Sequence, residues 1–182
     1  MKTHVLQVLA ASLALTTVGS AAAESEPQIP ADIAAMLKEH RGQWHGEGQW
    51  IENGKAETTK ADWECKPAVG GIGNVCTWHD QWADGPPNLA MEVMGYDAEH
   101  RTMTITRVTD KGLLHTVTPT VHGKTMIVRW TSKGDDGKTT VGFNEVIVKS
   151  SGYWEQHMTI DTDGKRVIEM KVTHRRSTPP AS

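Results

Sequence analysis

The sequence predicts an all-β protein: about ten antiparallel strands in an up-and-down barrel, preceded by one short helix. Three observations carry this reading. After Gly42, clusters of Gly, Pro, Asn and Asp with tight-turn chemistry recur at regular intervals. Between them, apolar and polar residues alternate with the period of two that sets one face of a strand against a core. The connections are short, and successive strands joined by short turns form a meander that closes most easily into a barrel, which removes exposed edges.

The elements follow in order. Met1 to Gln7 carries Lys2, Val5 to Val18 is largely apolar, and Ala21-Ala22-Ala23 precedes Glu24. These are the three parts of a secretory signal peptide, residues 1–23, for a periplasmic or secreted protein. The apolar run is too short for a membrane helix. No cysteine follows it, which argues against a lipid anchor. Residues 24–41 form a polar leader and a short helix. In the helix, Pro30 to His40, proline suits the first turn and Ile33, Met36 and Leu37 share a face. That face has to cover something, and an open barrel end is the nearest candidate.

Residues 42–176 form the barrel, and residues 177–182 a disordered tail. The turns fall at Asn53-Gly54, Pro67 to Gly73, Asp84 to Pro87, Asp97 to His100, Asp110 to Gly112, His122-Gly123, Gly134 to Gly137, Ser151-Gly152 and Asp163-Gly164. They delimit ten strands. The inward sets are Met103 and Ile105; Met126, Val128 and Trp130; Trp154, Met158 and Ile160; and Ile168, Met170 and Val172. The two cysteines, Cys65 and Cys76, flank a stretch rich in turn formers. In an oxidising compartment they predict a cross-strand disulfide at a hairpin neck. A redox or metal pair is the alternative, although the spacing is not C-x-x-C.

Composition narrows the function. With 19 Lys+Arg against 22 Asp+Glu and a net charge of −3, the chain has no basic stripe and is not built for nucleic acid. It has no Gly-x-Ser-x-Gly elbow, phosphate loop or dinucleotide fingerprint, and no residue set argues for an enzyme. The stretch Gly42-Gln43-Trp44-His45-Gly46-Glu47-Gly48-Gln49-Trp50 places Trp44, Gly46, Gly48 and Trp50 on one face. If that face looks inward, the rings flank an open space for a small apolar or amphipathic molecule. The glycines also fit a bulge or a sharp bend. Met91, Trp130 and Trp154 extend the expected lining. Arg107 follows Met103 and Ile105 on an inward face, and Glu145 follows Val141 and Phe143 on one. The two read either as an internal pair or as polar anchors for a ligand carboxylate or carbonyl. His115 and His157 are candidate axial haem or metal ligands, although no H-x-H or H-E-x-x-H spacing joins them. His45, His79, His100, His122 and His174 fall in turns or on outer faces and are assigned nothing.

Gly42-Gln43-Trp44 after a short helix resembles the Gly-x-Trp opening of lipocalins, where the Trp closes one barrel end. The run from Gly42 to Gly48 is also similar to the start of nitrobindin-type barrels. That likeness implies ten strands and a haem handling nitric oxide or peroxynitrite, although Gln49-Trp50 departs from the pattern. Met94-Gly95-Tyr96-Asp97-Ala98, Gly123-Lys124, Asp163-Gly164-Lys165 and Thr173-His174-Arg175-Arg176 resemble secreted bacterial calycin-like domains of unknown function. The expectation is therefore an exported barrel for one small molecule and no resident cofactor. Its rivals are a haem barrel and a filled structural barrel of the envelope. Mass spectrometry of protein recovered from the envelope or medium should find an N-terminus at Glu24, within a residue or two; a retained Met1 would remove the argument for export.

Overall fold

A computed structural model describes residues 28–82, 86–134 and 136–177. The expected signal peptide, most of the expected polar leader, Ala83 with Asp84 and Gly85 of the expected turn, Asp135 and residues 178–182 lie outside the described residues. The described residues form one α-helix, α1 (Ala31–His40), a single 3-10 turn at Val69–Gly71, and eleven strands: β1 (Gly42–Glu52), β2 (Lys55–Ala68), β3 (Gly73–Trp82), β4 (Asn88–Asp97), β5 (Thr102–Thr109), β6 (Leu114–Val117), β7 (Thr120–His122), β8 (Thr125–Lys133), β9 (Thr139–Ser150), β10 (Tyr153–Thr162) and β11 (Lys165–Arg176). Among the described residues no helix is long and apolar enough to cross a membrane.

The strands form a single antiparallel sheet in the order β6-β5-β4-β3-β2-β1-β11-β10-β9-β8-β7. The first and last strands pair in its middle, from Trp44 opposite Arg176 to Glu52 opposite Ile168. The two edges, β6 and β7, are consecutive in the chain. This is the difference from ten strands: the sixth expected segment is broken at Thr118-Pro119. Proline has no N–H to give a ladder, so pairing with β5 stops at Val117 and pairing with β8 begins at Thr120. The chain steps from one edge of the sheet to the other at this break.

The hairpins follow the turn chemistry. Asn53-Gly54 and Asp163-Gly164 each hold two successive residues at positive φ, the mark of the two-residue turn that matches strand twist. Cys65 and Cys76 oppose each other across β2 and β3, form a disulfide and are buried. Closing a loop of this size stabilises by about 3 kcal/mol on a chain-entropy estimate.

The core gathers at one end. Ile33, Met36, Leu37 and His40 form the buried stripe of α1 at the i, i+3, i+4, i+7 spacing of one helical face. The stripe packs into a cluster with Trp44, Trp63, Met94, Met103, Met126 and Trp154. All these strand residues come from the strand ends nearest the helix, so α1 plugs that end of the barrel.

The glycines of β1 do not flank a void. A Cβ at Gly48 would overlap the Lys171 carbonyl and lie 2.7 Å from Val172 Cα. One at Gly46 would lie 2.5 Å from Nδ1 of His174. The first position admits the backbone of β11 and the second an imidazole, which is the close-approach reading of interior strand glycines. Gly48→Ala should therefore force the central β1–β11 pair apart. The expected loss is about 1–3 kcal/mol, read as a lower midpoint in thermal or urea unfolding. An unchanged midpoint would mean that β11 can draw back without cost.

Candidate functional site

A cavity of about 800 Å³ lies inside the sheet. It runs from His40, Trp154 and His174 beneath the helix to Trp50, Trp130 and Lys111 at the opposite end. Alternation on the strands builds it. Even-numbered residues of β8, β10 and β11 turn inward, which brings Met126, Val128, Met158, Met170 and Val172 to the wall. The barrel is hollow in its outer half and filled beneath the helix.

The floor is a column of stacked rings. Trp44 lies parallel to Trp63 at 5.0 Å, and Trp63 stacks on Trp78 at 4.6 Å. Trp154 tilts against Trp44 at 4.3 Å and against His40 at 4.2 Å. These separations suit the offset stacking that aromatic quadrupoles favour. Trp44 Nε1 donates to the His40 carbonyl at 3.1 Å, tying the column to the helix.

One wall carries charge. Arg107 of β5 donates through Nη1 to Glu92 Oε1 at 3.0 Å and through Nη2 to Asp80 Oδ2 at 2.8 Å. Trp78 Nε1 donates to the other oxygen of Glu92 at 2.9 Å. Burial pushes the Glu92 and Asp80 carboxyls above their usual range, and Arg107 opposes that shift in both. The cluster is internally paired, with one guanidinium facing two carboxyl groups.

A second polar feature crosses β9, β10 and β11. Trp63 Nε1 donates to Nδ1 of His174 at 3.3 Å, and an indole N–H can only donate. The proton of neutral His174 therefore sits on Nε2, which donates to Gln156 Oε1 at 2.9 Å. Gln156 Nε2 in turn donates to Asn144 Oδ1 at 3.0 Å. His40 is fixed in the opposite sense. Its Nδ1 lies 2.8 Å from the Met36 carbonyl, which can only accept, so Nδ1 carries the proton and Nε2 a lone pair. Burial lowers both imidazoles to a pKa of about 4.

Of the residues expected to line a site, Trp50, Arg107, Trp130 and Trp154 lie along the cavity. Trp44 belongs to the ring column of the floor and is not among the residues that line the cavity. Two expectations are corrected. Met91 is exposed on the outer face, beside a shallow depression that it shares with Leu89 and Val108. Glu145 also faces outward, opposite His157 in register, because Gly142, Asn144, Val146 and Val148 are the inward set of β9. Val141 and Phe143 lie on the outer face, where Arg129 stacks 5.0 Å from the Phe143 ring. The inward position Gly142 is occupied from above by the Trp130 indole. His115 lines the cavity, whereas His157 is on the outer face, 3.5 Å from Glu169. His174, expected outside, is buried inside. Its parity with Met170 and Val172 on one strand is the signal that locates it. His40 is legible in the same way, one turn after Ile33, Met36 and Leu37. Asp80 and Glu92 carry no such local signal.

Comparison with protein-family models and with curated protein sequences finds no match. Among solved structures, the chain is similar to an S-type phycobiliprotein lyase from Guillardia theta, at 12% identity and a TM-score of 0.59, over 81% of this chain and 94% of that one. It is also similar to a de novo designed fluorescence-activating β-barrel, at 12% identity and a TM-score of 0.41, over 78% of this chain and 96% of the design. The first likeness shows a shared lipocalin-like barrel fold.

The two neutral histidines make stability depend on pH. The unfolded chain takes up a proton at each near pH 6.5, the folded chain only near 4. Stability from each is full above pH 6.5 and falls by about 1.4 kcal/mol per pH unit as pH drops through this window. Asp80 and Glu92, raised in the fold, act in the opposite sense, so a comparison with His174→Gln is needed to isolate the effect. The unfolding free energy of the wild type minus that of the variant should decrease by about 1.4 kcal/mol per pH unit from pH 6.5 to 4. A difference constant with pH would show that His174 titrates as it does in the unfolded chain.

Proposed function

We propose that this chain is an exported binding protein that takes up one small, largely apolar molecule through the barrel end opposite α1. The observation that carries this reading is the cavity of about 800 Å³, closed at one end by the helix, with four Trp, four Met and four Val among its lining residues. Its size falls in the range of small-molecule sites, whose apolar walls carry a few polar groups that fix orientation. Trp50 and Trp130 flank the entrance, and Met126, Met158 and Met170 supply adaptable wall. The N-terminal segment and the buried disulfide support export.

A second reading, a haem barrel, is favoured by His115. Burial and the Arg107 charge lower its pKa, so its imidazole is available as a neutral axial ligand. His157, on the outer face, cannot serve a group inside the barrel. Titration with haem followed by visible absorption separates the two readings: a sharp band lost in His115→Ala supports haem, and an unchanged free-haem spectrum removes it.

The test of the main reading is binding of N-phenyl-1-naphthylamine, a neutral dye that brightens in apolar surroundings. Wild-type protein should bind it with blue-shifted emission. Val128→Trp, which puts an indole into the cavity from its wall, should lose at least tenfold in affinity while keeping a cooperative thermal transition. Wild-type protein that binds no dye defeats the reading.

A further inference from the structure

We infer that the outer face of the sheet over β3, β4, β5 and β6 is an interface between two copies of this chain, packed face to face about a two-fold axis. This face is on the outside of the barrel and is independent of what the cavity holds.

Parity puts apolar side chains outside. On β4 the buried positions are Ala90, Glu92 and Met94, so Leu89, Met91 and Val93 point outward. Register supplies their neighbours. Met91 lies opposite Val108 of β5, and Val108 lies opposite Leu114 of β6. Val93 lies between Val75 of β3 and Thr106 of β5. Leu89, Met91, Val93, Val108 and Leu114 are each between 37% and 67% exposed. They form one patch across three strands, whereas the exposed apolar residues of an ordinary surface are scattered singly.

Charge is missing from the same area. The outward positions that border the patch, Thr77, His79, Gly95, Thr104, Thr106 and Thr116, include no Lys, Arg, Asp or Glu. Asp110 stands at the rim, after the end of β5, where its N–H meets the Leu89 carbonyl. Other outer strand faces are charged: β2 presents Lys60, Asp62, Glu64 and Lys66, and β11 presents Glu169, Lys171 and Arg175. A centre without charge, with Met among its apolar side chains and polar groups around it, has the composition of an interface core.

Charge and area choose the partner. A face without basic side chains has nothing to hold an anionic lipid surface. With neither sign of charge at its centre, it has nothing to steer a charged protein. It complements another uncharged apolar face, and every copy of the chain carries one. A two-fold contact uses the same patch twice. At their exposures the five side chains present roughly 500 Å² on each copy, so a pair buries about 1,000 Å², the lower limit of a specific interface. The bordering threonines add to that area. Met91 also stands beside a shallow hollow of about 390 Å³ that Leu89 and Val108 share. Each copy therefore offers a flexible projecting side chain and a place to receive one.

The test is sedimentation velocity of the purified protein over a dilution series. A contact at this lower size limit should give reversible exchange between one and two chains, with the pair dominant above about 50 μM. Met91→Lys puts an ammonium without a counter-ion at the centre of the contact and should weaken pairing by about 100-fold or more. Its thermal midpoint should stay within about 2 °C of the wild type, and its affinity for N-phenyl-1-naphthylamine should not change, because the side chain faces away from the cavity. Val93→Lys should act in the same way and serves if the first variant does not fold. Glu145→Lys, on the outer face of β9, should pair as the wild type does. A wild type that remains a single chain at about 200 μM overturns the inference, even if the patch then captures lipid vesicles or another protein. A pair that survives both lysine substitutions on β4, or one that Glu145→Lys breaks equally, overturns it as well, since the contact would then lie elsewhere.

Discussion

The C-terminal end of α1 is held by an unusually complete set of hydrogen bonds, and the barrel's closed end depends on it. The last carbonyls of a helix have no partners within it. Here His40 Nδ1 reaches the Met36 carbonyl, Asn74 Nδ2 the Leu37 carbonyl at 2.7 Å, the Arg41 backbone N–H the Lys38 carbonyl at 3.2 Å, Arg176 Nη2 the Glu39 carbonyl at 2.7 Å, and Trp44 Nε1 the His40 carbonyl. The donors come from the helix, from the start of β1, from β3 and from the end of β11. The plug is therefore bonded to strands from across the sheet as well as resting on an apolar stripe. Asn74 is fully buried and also accepts from Arg41 Nε at 3.0 Å, so its amide is used on both sides.

From that anchor the packing runs outward through rings and glycines. Trp44 is fixed by the helix, Trp63 and Trp154 by Trp44, and Trp78 by Trp63. The glycines do the opposite of opening space. Gly46 gives room to His174, Gly48 to the backbone of β11 and Gly142 to Trp130. Each lets a neighbour come closer than a Cβ would allow. The hollow part begins where this filling ends and the inward residues become Val and Met.

Much of this was legible in the sequence. Turn chemistry placed the hairpins, cysteine spacing placed the disulfide, and period-two patterns set the inward faces of β5, β8, β10 and β11. The single-strand reading failed where both faces of a strand are apolar. On β9, Val141 and Phe143 outweigh Gly142 and Asn144 in apolar content, yet they lie outside, because the Trp130 ring needs the glycine beneath it. That parity error carried Glu145 inward. The pairing of Arg107 was anticipated in kind but not in partner, since Asp80 and Glu92 reach it from β3 and β4 and only register brings them together. Tautomer and hydrogen-bond direction are set by such three-dimensional neighbours and leave no trace in a linear pattern.

The break at Thr118-Pro119 has a kinetic side. Because the sheet's free edges are consecutive in the chain, the ring divides into two meanders, β1 to β6 and β7 to β11, each assembled from neighbouring hairpins. Hairpins close quickly and at small entropic cost. Uniting the two meanders requires the first and last strands to meet, after most of the chain has been made and ordered. A topology whose decisive contact is also its least local one folds slowly. Until that contact forms, β1 and β11 each lack one of the two neighbours they have in the finished sheet.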